Sequence, residues 1–138
     1  MGASASAFTV VVSIDLNHAN LQGTLVKELS LLTDMLFWVL HMSLFYLNSN
    51  SYFSGTIPQE LFYKNLDALF LNNNQFEGEI PQNLENSPAS VINLANNKLS
   101  GNIRASFGFM GSKLKDILFL NNQLTGCIPE GVGLFTEI

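Results

Sequence analysis

The chain has 138 residues, of which 47% are hydrophobic and 12% charged, so it is long enough for one globular domain with a modest core. A net charge of −5 with six lysine and arginine residues disfavours nucleic acid, because binding phosphates requires clustered positive charge. The one cysteine, Cys127, cannot form an intrachain disulfide, and no metal-ligand set lies near it, so we predict no cofactor or metal.

The N-terminal segment, MGASASAFTVVV, has a short apolar run but no basic residue before Lys27, so it does not form a complete secretory signal. It leads directly into IDLNHANLQGTL, the first of several similar segments. Their glycines stand in the strings LQGTLV, FSGTIP, FEGEIP, LSGNIR and LTGCIP. The last four of these glycines, from Gly55 to Gly126, are 23, 23 and 25 residues apart, which is the period of a leucine-rich repeat.

The pattern LxxLxLxxNxLxGxIP stands before and around each of Gly78, Gly101 and Gly126. Alternate residues of each LxL segment point into the coil, as in a short strand. The asparagine slots (Asn50, Asn74, Asn97, Asn122) come next and are predicted to turn inward and bond backbone groups. We predict an α/β leucine-rich repeat solenoid of about five partly degenerate repeats, residues 1–138 forming a single domain. Its parallel sheet lines the concave face, and its convex segments are mostly irregular or 3₁₀.

The second repeat is atypical, since Gly23 and Gly55 are 32 residues apart. We interpret the apolar run MLFWVLHM, residues 35–42, as an insert foreign to the repeat, the alternative being a bulge under the convex face. A transmembrane helix over 29–47 is not favoured, because Asp34 and His41 interrupt the apolar stretch.

The concave positions between the core residues form the predicted binding surface. An apolar strip with acidic ends at Asp15 and Asp116 would suit a short basic peptide. The alternative is a set of exposed strand positions without a ligand. The candidate residues are Asp15, Asn17, Tyr46, Asn48, Phe70, Asn72, Asn93, Asp116, Leu118 and Leu120, with Ser13, Ala68, Val91 and Ala95 at neighbouring positions.

No catalytic motif stands out, and we predict that the chain is not an enzyme. Glu77 and Glu79 flank Gly78 and are expected to decorate a solvated rim. Cys127 is predicted to be a partly buried, inert thiol, the alternative being a bond to a second chain in a homodimer.

The strings NHAN, KNLDALFLNNNQF and NSPASVINLANN lie outside the generic repeat skeleton and resemble the repeat domain of plant leucine-rich repeat extensin-like proteins. The resemblance implies a secreted cell-wall protein whose repeats bind small basic peptides of the rapid alkalinisation factor type. In that family a hydroxyproline-rich extensin tail anchors the repeats to wall polymers. The resemblance therefore implies an extracellular location in the cell wall.

The sequence departs from the family pattern in several ways. It lacks the cysteine-containing N-terminal cap and the Ser-Pro-rich tail, skips repeats after Pro58, and carries the insert. We therefore expect a fragment of the repeat domain, with wall polymers bound only through the missing tail. Two alternatives stay open: a defence-type module (a receptor ectodomain fragment or a polygalacturonase-inhibitor-like protein), and a non-functional product of a truncated gene.

Overall fold

The structure, a computed structural model, describes residues 13–15, 22–28, 37–39, 52–110 and 114–129. Its strands form two parallel sheets that run along the repeats, one strand of each sheet per coil. The first sheet contains β1 (Ser13–Asp15), β3 (Phe37–Val39), β5 (Ala68–Phe70), β7 (Val91–Asn93) and β9 (Asp116–Leu118), in that order. The second sheet contains β2 (Gly23–Thr24), β4 (Phe53–Gly55), β6 (Gln75–Glu79), β8 (Lys98–Asn102) and β10 (Gln123–Thr125).

The core lies between the two sheets and the segments that close each coil. The leucines of each LxL segment point into it, and Leu69 and Leu71 have no exposed surface. Phe76 and Leu99 enter the core from the second sheet. The repeat pattern therefore places one layer of apolar side chains in each coil, and neighbouring layers pack against each other.

Short 3₁₀ helices close the second, third and fourth coils on the side away from the first sheet. They span Gln59–Tyr63, Gln82–Asn86 and Ala105–Phe109. Pro58 and Pro81 precede the first two of these helices with φ of −63° and −55°, the values that a pyrrolidine ring imposes. Leu61 and Leu84 are buried beneath them. The predicted 3₁₀ convex segments are confirmed.

The asparagine slots turn inward as predicted and join successive coils. Asn97 accepts a hydrogen bond from the Phe76 N–H of the preceding coil at 3.0 Å. Its amide group donates to the Leu71 carbonyl of that coil and to the Leu94 carbonyl of its own coil, at 3.0 and 3.1 Å. Asn74 and Asn122 make equivalent bonds. Each side chain thus bonds backbone groups that neither sheet pairs.

The repeat positions at Gly78 and Gly101 require glycine for two reasons: their φ angles are positive, and a Cβ atom would lie too close to the side chain of the preceding coil. Gly101 has a φ of +79°, in the region that disfavours residues with a Cβ. A Cβ added there would lie 2.9 Å from Glu79 Cγ, since the side chain that follows Gly78 crosses the glycine of the next coil. Thr56 covers Gly78 in the same way, at 3.2 Å.

The second coil differs from its prediction. Phe37–Val39, which we interpreted as part of an insert, pairs with β1 and β5 as a regular strand of the first sheet. Trp38 stands opposite both Ile14 and Leu69, so the first two strands have a normal spacing of 24 residues. The additional length of the second repeat follows this strand instead of preceding it. Aromatic and β-branched residues favour a strand, which explains the assignment.

Among the described residues, no helix has both the length and the apolar character to cross a membrane.

We expect Asn97→Ala to lower the free energy of unfolding by about 3 kcal/mol, because it leaves buried backbone donors and acceptors without partners. Urea denaturation measures the change. Asn86→Ala, at an exposed asparagine, is the control and should change the free energy by less than about 0.5 kcal/mol. Equal effects of the two substitutions would contradict the proposed role of the asparagine slot.

We expect Gly101→Ala to destabilise the fold by about 2–3 kcal/mol, through the positive φ and the contact with Glu79. In a Glu79→Ala background the contact is absent, so the same substitution should cost about 1–2 kcal/mol. A double-mutant cycle by urea denaturation separates the two causes. A coupling energy near zero would show that the close approach has no energetic effect.

The open face of the first sheet

The face of the first sheet that points away from the core carries three rows of residues across β5, β7 and β9. Strand register aligns the first two rows, and the third row continues the same spacing just beyond the strands. Adjacent strands are about 4.8 Å apart, so each row spans about 10 Å. We call these nine residues the open face: Ala68, Val91 and Asp116; Phe70, Asn93 and Leu118; Asn72, Ala95 and Leu120.

The open face has two low positions and a higher rim on one side. Ala68 and Ala95 are 5% and 8% exposed because their short side chains lie below their neighbours. Leu118 and Leu120 are 38% and 67% exposed and stand on the outermost described strand. Exposed leucines beside a small depression can cover an apolar side chain of a partner, which removes apolar surface from water on both sides.

Asn93 occupies the centre of the open face, and its backbone fixes its side chain. Its Oδ1 accepts a hydrogen bond from the Ala95 N–H at 3.1 Å, two residues along the chain. Phe70 and Leu118 flank it in the same row on the two neighbouring strands. A polar group therefore lies between two apolar side chains.

Negative charge lies at opposite ends of the first sheet. Asp116 is half-buried on β9 and forms no ion pair with any described residue. Asp15 lies on β1, at the other end of the strand order, in the register of Phe70 and Asn93. Five strands at about 4.8 Å place the two ends about 20 Å apart.

The structure brings most of the predicted binding residues onto one surface. Phe70, Asn72, Asn93, Asp116, Leu118 and Leu120 lie on the open face, and Asp15 occupies a matching register on β1. The predicted residues Asn17, Tyr46 and Asn48 lie outside the described residues. A binding role for all of these positions remains a prediction.

Sequence reasoning missed two positions of the first sheet. Phe37 and Val39 occupy the second strand, in the registers of Ala68 and Phe70, where we had placed Tyr46 and Asn48. The regular 24-residue spacing from Ile14 to Trp38 was the available signal, but the low repeat quality of the segment hid it.

The remaining candidates lie away from the open face. Cys127 is exposed, so the predicted partial burial of this thiol is wrong; it follows β10, which lies at the end of the second sheet with no further described strand beside it. Glu77 and Glu79 are exposed on the second sheet, and Glu79 lies 3.7 Å from Arg104. Within the described ranges, no group of three or more acidic, histidine or cysteine side chains is arranged to hold a metal ion.

The fold and one family model agree on the class of protein. The model of the Leucine Rich Repeat matches residues 65–87, the segment that contains β5 and β6. Two parallel sheets built from repeats of this length, with an inward asparagine ladder, are the architecture of that class. The chain is a leucine-rich repeat protein.

Its curated homologues are leucine-rich repeat extensin-like proteins of Arabidopsis thaliana, which confirms the resemblance seen in the sequence. Extensin-like protein 7 is 39% identical over 175 residues, an alignment that covers 93% of this chain and 39% of that protein. Extensin-like protein 2 is 48% identical over 61 residues. The chain spans between 6% and 39% of the length of the curated relatives that it matches.

Solved structures share the same architecture. A plant ice-binding protein superimposes with a TM-score of 0.78 at 27% identity, covering 93% of this chain and 39% of that one. The plant peptide hormone receptor RGFR1, solved in complex with RGF2, gives a TM-score of 0.68 at 28% identity, with coverages of 80% and 17%.

We expect truncation of two neighbouring residues of β5 to lower the free energy of unfolding by different amounts. Leu69→Ala should destabilise the fold by about 3 kcal/mol, because it opens a cavity in the core. Phe70→Ala should cost less than about 1.5 kcal/mol, since its side chain is only half-buried on the open face. Thermal and urea unfolding measure both. A larger effect at Phe70 than at Leu69 would show that the strand is turned over.

Proposed function

We propose that this chain is a non-catalytic binding module that holds a short basic peptide on its open face, outside the cell and in the cell wall. The observation that carries the proposal is the apolar open face, with the carboxylate of Asp116 at its edge, which pairs with no charged group among the described residues. Aromatic and aliphatic anchors supply affinity on rigid strands, while acidic residues attract and orient a positively charged partner.

The family supports the type of partner and the location. The curated relatives are extensin-like proteins, a name that associates them with the wall. Solved neighbours of the same fold contain peptide ligands, as in the RGFR1 and RGF2 complex. By the family resemblance, the partner is a small secreted peptide of the rapid alkalinisation factor type.

The size of the surface limits the partner to a short segment. The five described strands of the first sheet span about 20 Å, and each strand is about 10 Å long, so the sheet covers about 200 Å². A stable protein–protein interface buries about 800 Å² on each partner. About six extended residues would cross the sheet. We therefore expect contact with one segment of a peptide and micromolar rather than nanomolar affinity.

A receptor ectodomain is the second candidate. Solved neighbours include the BIR2 ectodomain of Arabidopsis thaliana, with a TM-score of 0.70 at 28% identity. Sequencing the transcript beyond the last codon distinguishes a wall protein from a receptor ectodomain. A Ser-Pro-rich extension supports the wall protein, whereas a transmembrane segment supports the receptor.

The binding proposal is tested by screening the purified chain against a library of random hexapeptides displayed on phage. Enrichment of sequences that combine arginine or lysine with apolar residues is the expected result. Enrichment of acidic sequences, or no enrichment above an unrelated repeat protein, would contradict basic-peptide binding.

Asp116→Asn should weaken binding of the enriched basic peptides about two- to fivefold at low salt, because it removes one charge pair at a solvated site. The difference should shrink at 0.5 M salt, where charges are screened over a few ångströms. Glu77→Gln removes the same charge from the second sheet and is the matched control. Isothermal titration calorimetry measures all three proteins, and equal losses in the two variants would reduce the effect to net charge.

A further inference from the structure

We infer that Asn93 is the residue of the open face that positions the peptide backbone, and that its amide N–H group binds a main-chain carbonyl of the peptide beside an apolar side chain. This inference rests on the proposed peptide binding. It adds the point at which the peptide backbone is held and the type of residue that lies next to it.

The orientation of the Asn93 amide follows from its backbone contact. The Ala95 N–H can only donate, so the atom that it contacts, at 3.1 Å, must be the amide oxygen. The amide nitrogen therefore points elsewhere, and it has no hydrogen-bond partner among the described residues. The oxygen is occupied and the donor remains available.

The surroundings require that this donor be satisfied when a partner binds. Phe70 and Leu118 lie on either side of Asn93 in its row, and neither side chain can accept a strong hydrogen bond. Val91 and Ala95 are the nearest residues on the same face of the same strand segment. A partner that covers these apolar groups removes water from the amide, so it must supply an acceptor or leave the donor unsatisfied.

A peptide carbonyl is the acceptor that fits this site. It is neutral, so it can be buried beside Phe70 and Leu118 at lower cost than a carboxylate. An apolar side chain next to it can pack on the low surface at Ala95, the next residue of this face after Asn93, beside the exposed Leu120. Asp116 lies one strand away and two residues out of register from Asn93, about 8 Å distant, which places a basic residue within about two positions of the carbonyl.

The substitution that tests the role is Asn93→Asp. A carboxylate oxygen can still accept from the Ala95 N–H, so the local turn is kept, but the donor is replaced by an acceptor that repels a carbonyl. Asn102→Asp is the control, because it makes the same change on the exposed second sheet, where the side-chain oxygen accepts from Thr125 Oγ1 at 2.8 Å.

Two blocked peptides serve as probes: acetyl-leucine methylamide, which is uncharged, and acetyl-leucyl-arginine methylamide, which adds one positive charge. Titrations are followed by NMR through the side-chain amide of Asn93 and the methyl groups of Leu118 and Leu120. We expect both sets of signals to shift together. Asn93→Asp should weaken the uncharged probe about tenfold, and the charged probe should also bind more weakly despite the added negative charge.

The outcomes separate the inference from the proposed function. If the leucine methyl groups shift but the Asn93 amide does not, or if Asn93→Asp tightens the charged probe, the open face binds peptides and the role of Asn93 is wrong. If neither probe shifts any open-face signal up to its solubility limit while the enriched hexapeptides do, the role of Asn93 is wrong; if the hexapeptides also cause no shift, both ideas are wrong. A tenfold loss with Asn102→Asp as well would assign the effect to charge and overturn the inference.

Discussion

The inward asparagine of each repeat is the interaction on which the structure depends. A coil of this kind leaves backbone groups facing the neighbouring coil at the bend between its two strands and at the start of the second strand. Asn74, Asn97 and Asn122 supply both a donor and an acceptor at that point, and each bonds the coil before its own. Buried backbone groups without such partners would cost about 1–3 kcal/mol each, so this side chain is a large stabilising term in each of these three coils.

A second asparagine ladder stabilises the same bend. Asn73, Asn96 and Asn121 all have positive φ, near +55°, a conformation that asparagine tolerates better than most residues with a Cβ. Asn121 donates to Asn96 at 2.7 Å, and Asn96 donates to Asn73. Because the bends are aligned in this way, the strands that precede them share one register, and the open face is formed as rows of side chains.

The sequence predicts those parts of the fold that repeat and fails where a single coil departs from the repeat. The glycine spacing, the asparagine slots and the leucine alternation place Leu69, Asn97 and Gly101 correctly, because each position has one physical requirement that few residues meet. The strand at Phe37–Val39 was missed since a three-residue strand needs no signature beyond β propensity. The orientation of the Asn93 amide could not be predicted either, because it depends on the hydrogen bond from the Ala95 N–H and on the backbone path between the two residues.

The identical register between coils also determines how this protein can differ from its relatives. The alignment with extensin-like protein 7 runs over 175 residues although the chain has 138, so that relative carries residues within the aligned region that this chain lacks. The coils that contain Asn97 and Asn122 offer their neighbours the same bonds, so a coil of this kind could be lost and the flanking coils could rejoin. Copy number is then a heritable variable, and each gain or loss changes the length of the first sheet by one strand, about 4.8 Å. The length of ligand that such proteins accommodate would evolve in discrete steps, independently of the residues that contact it.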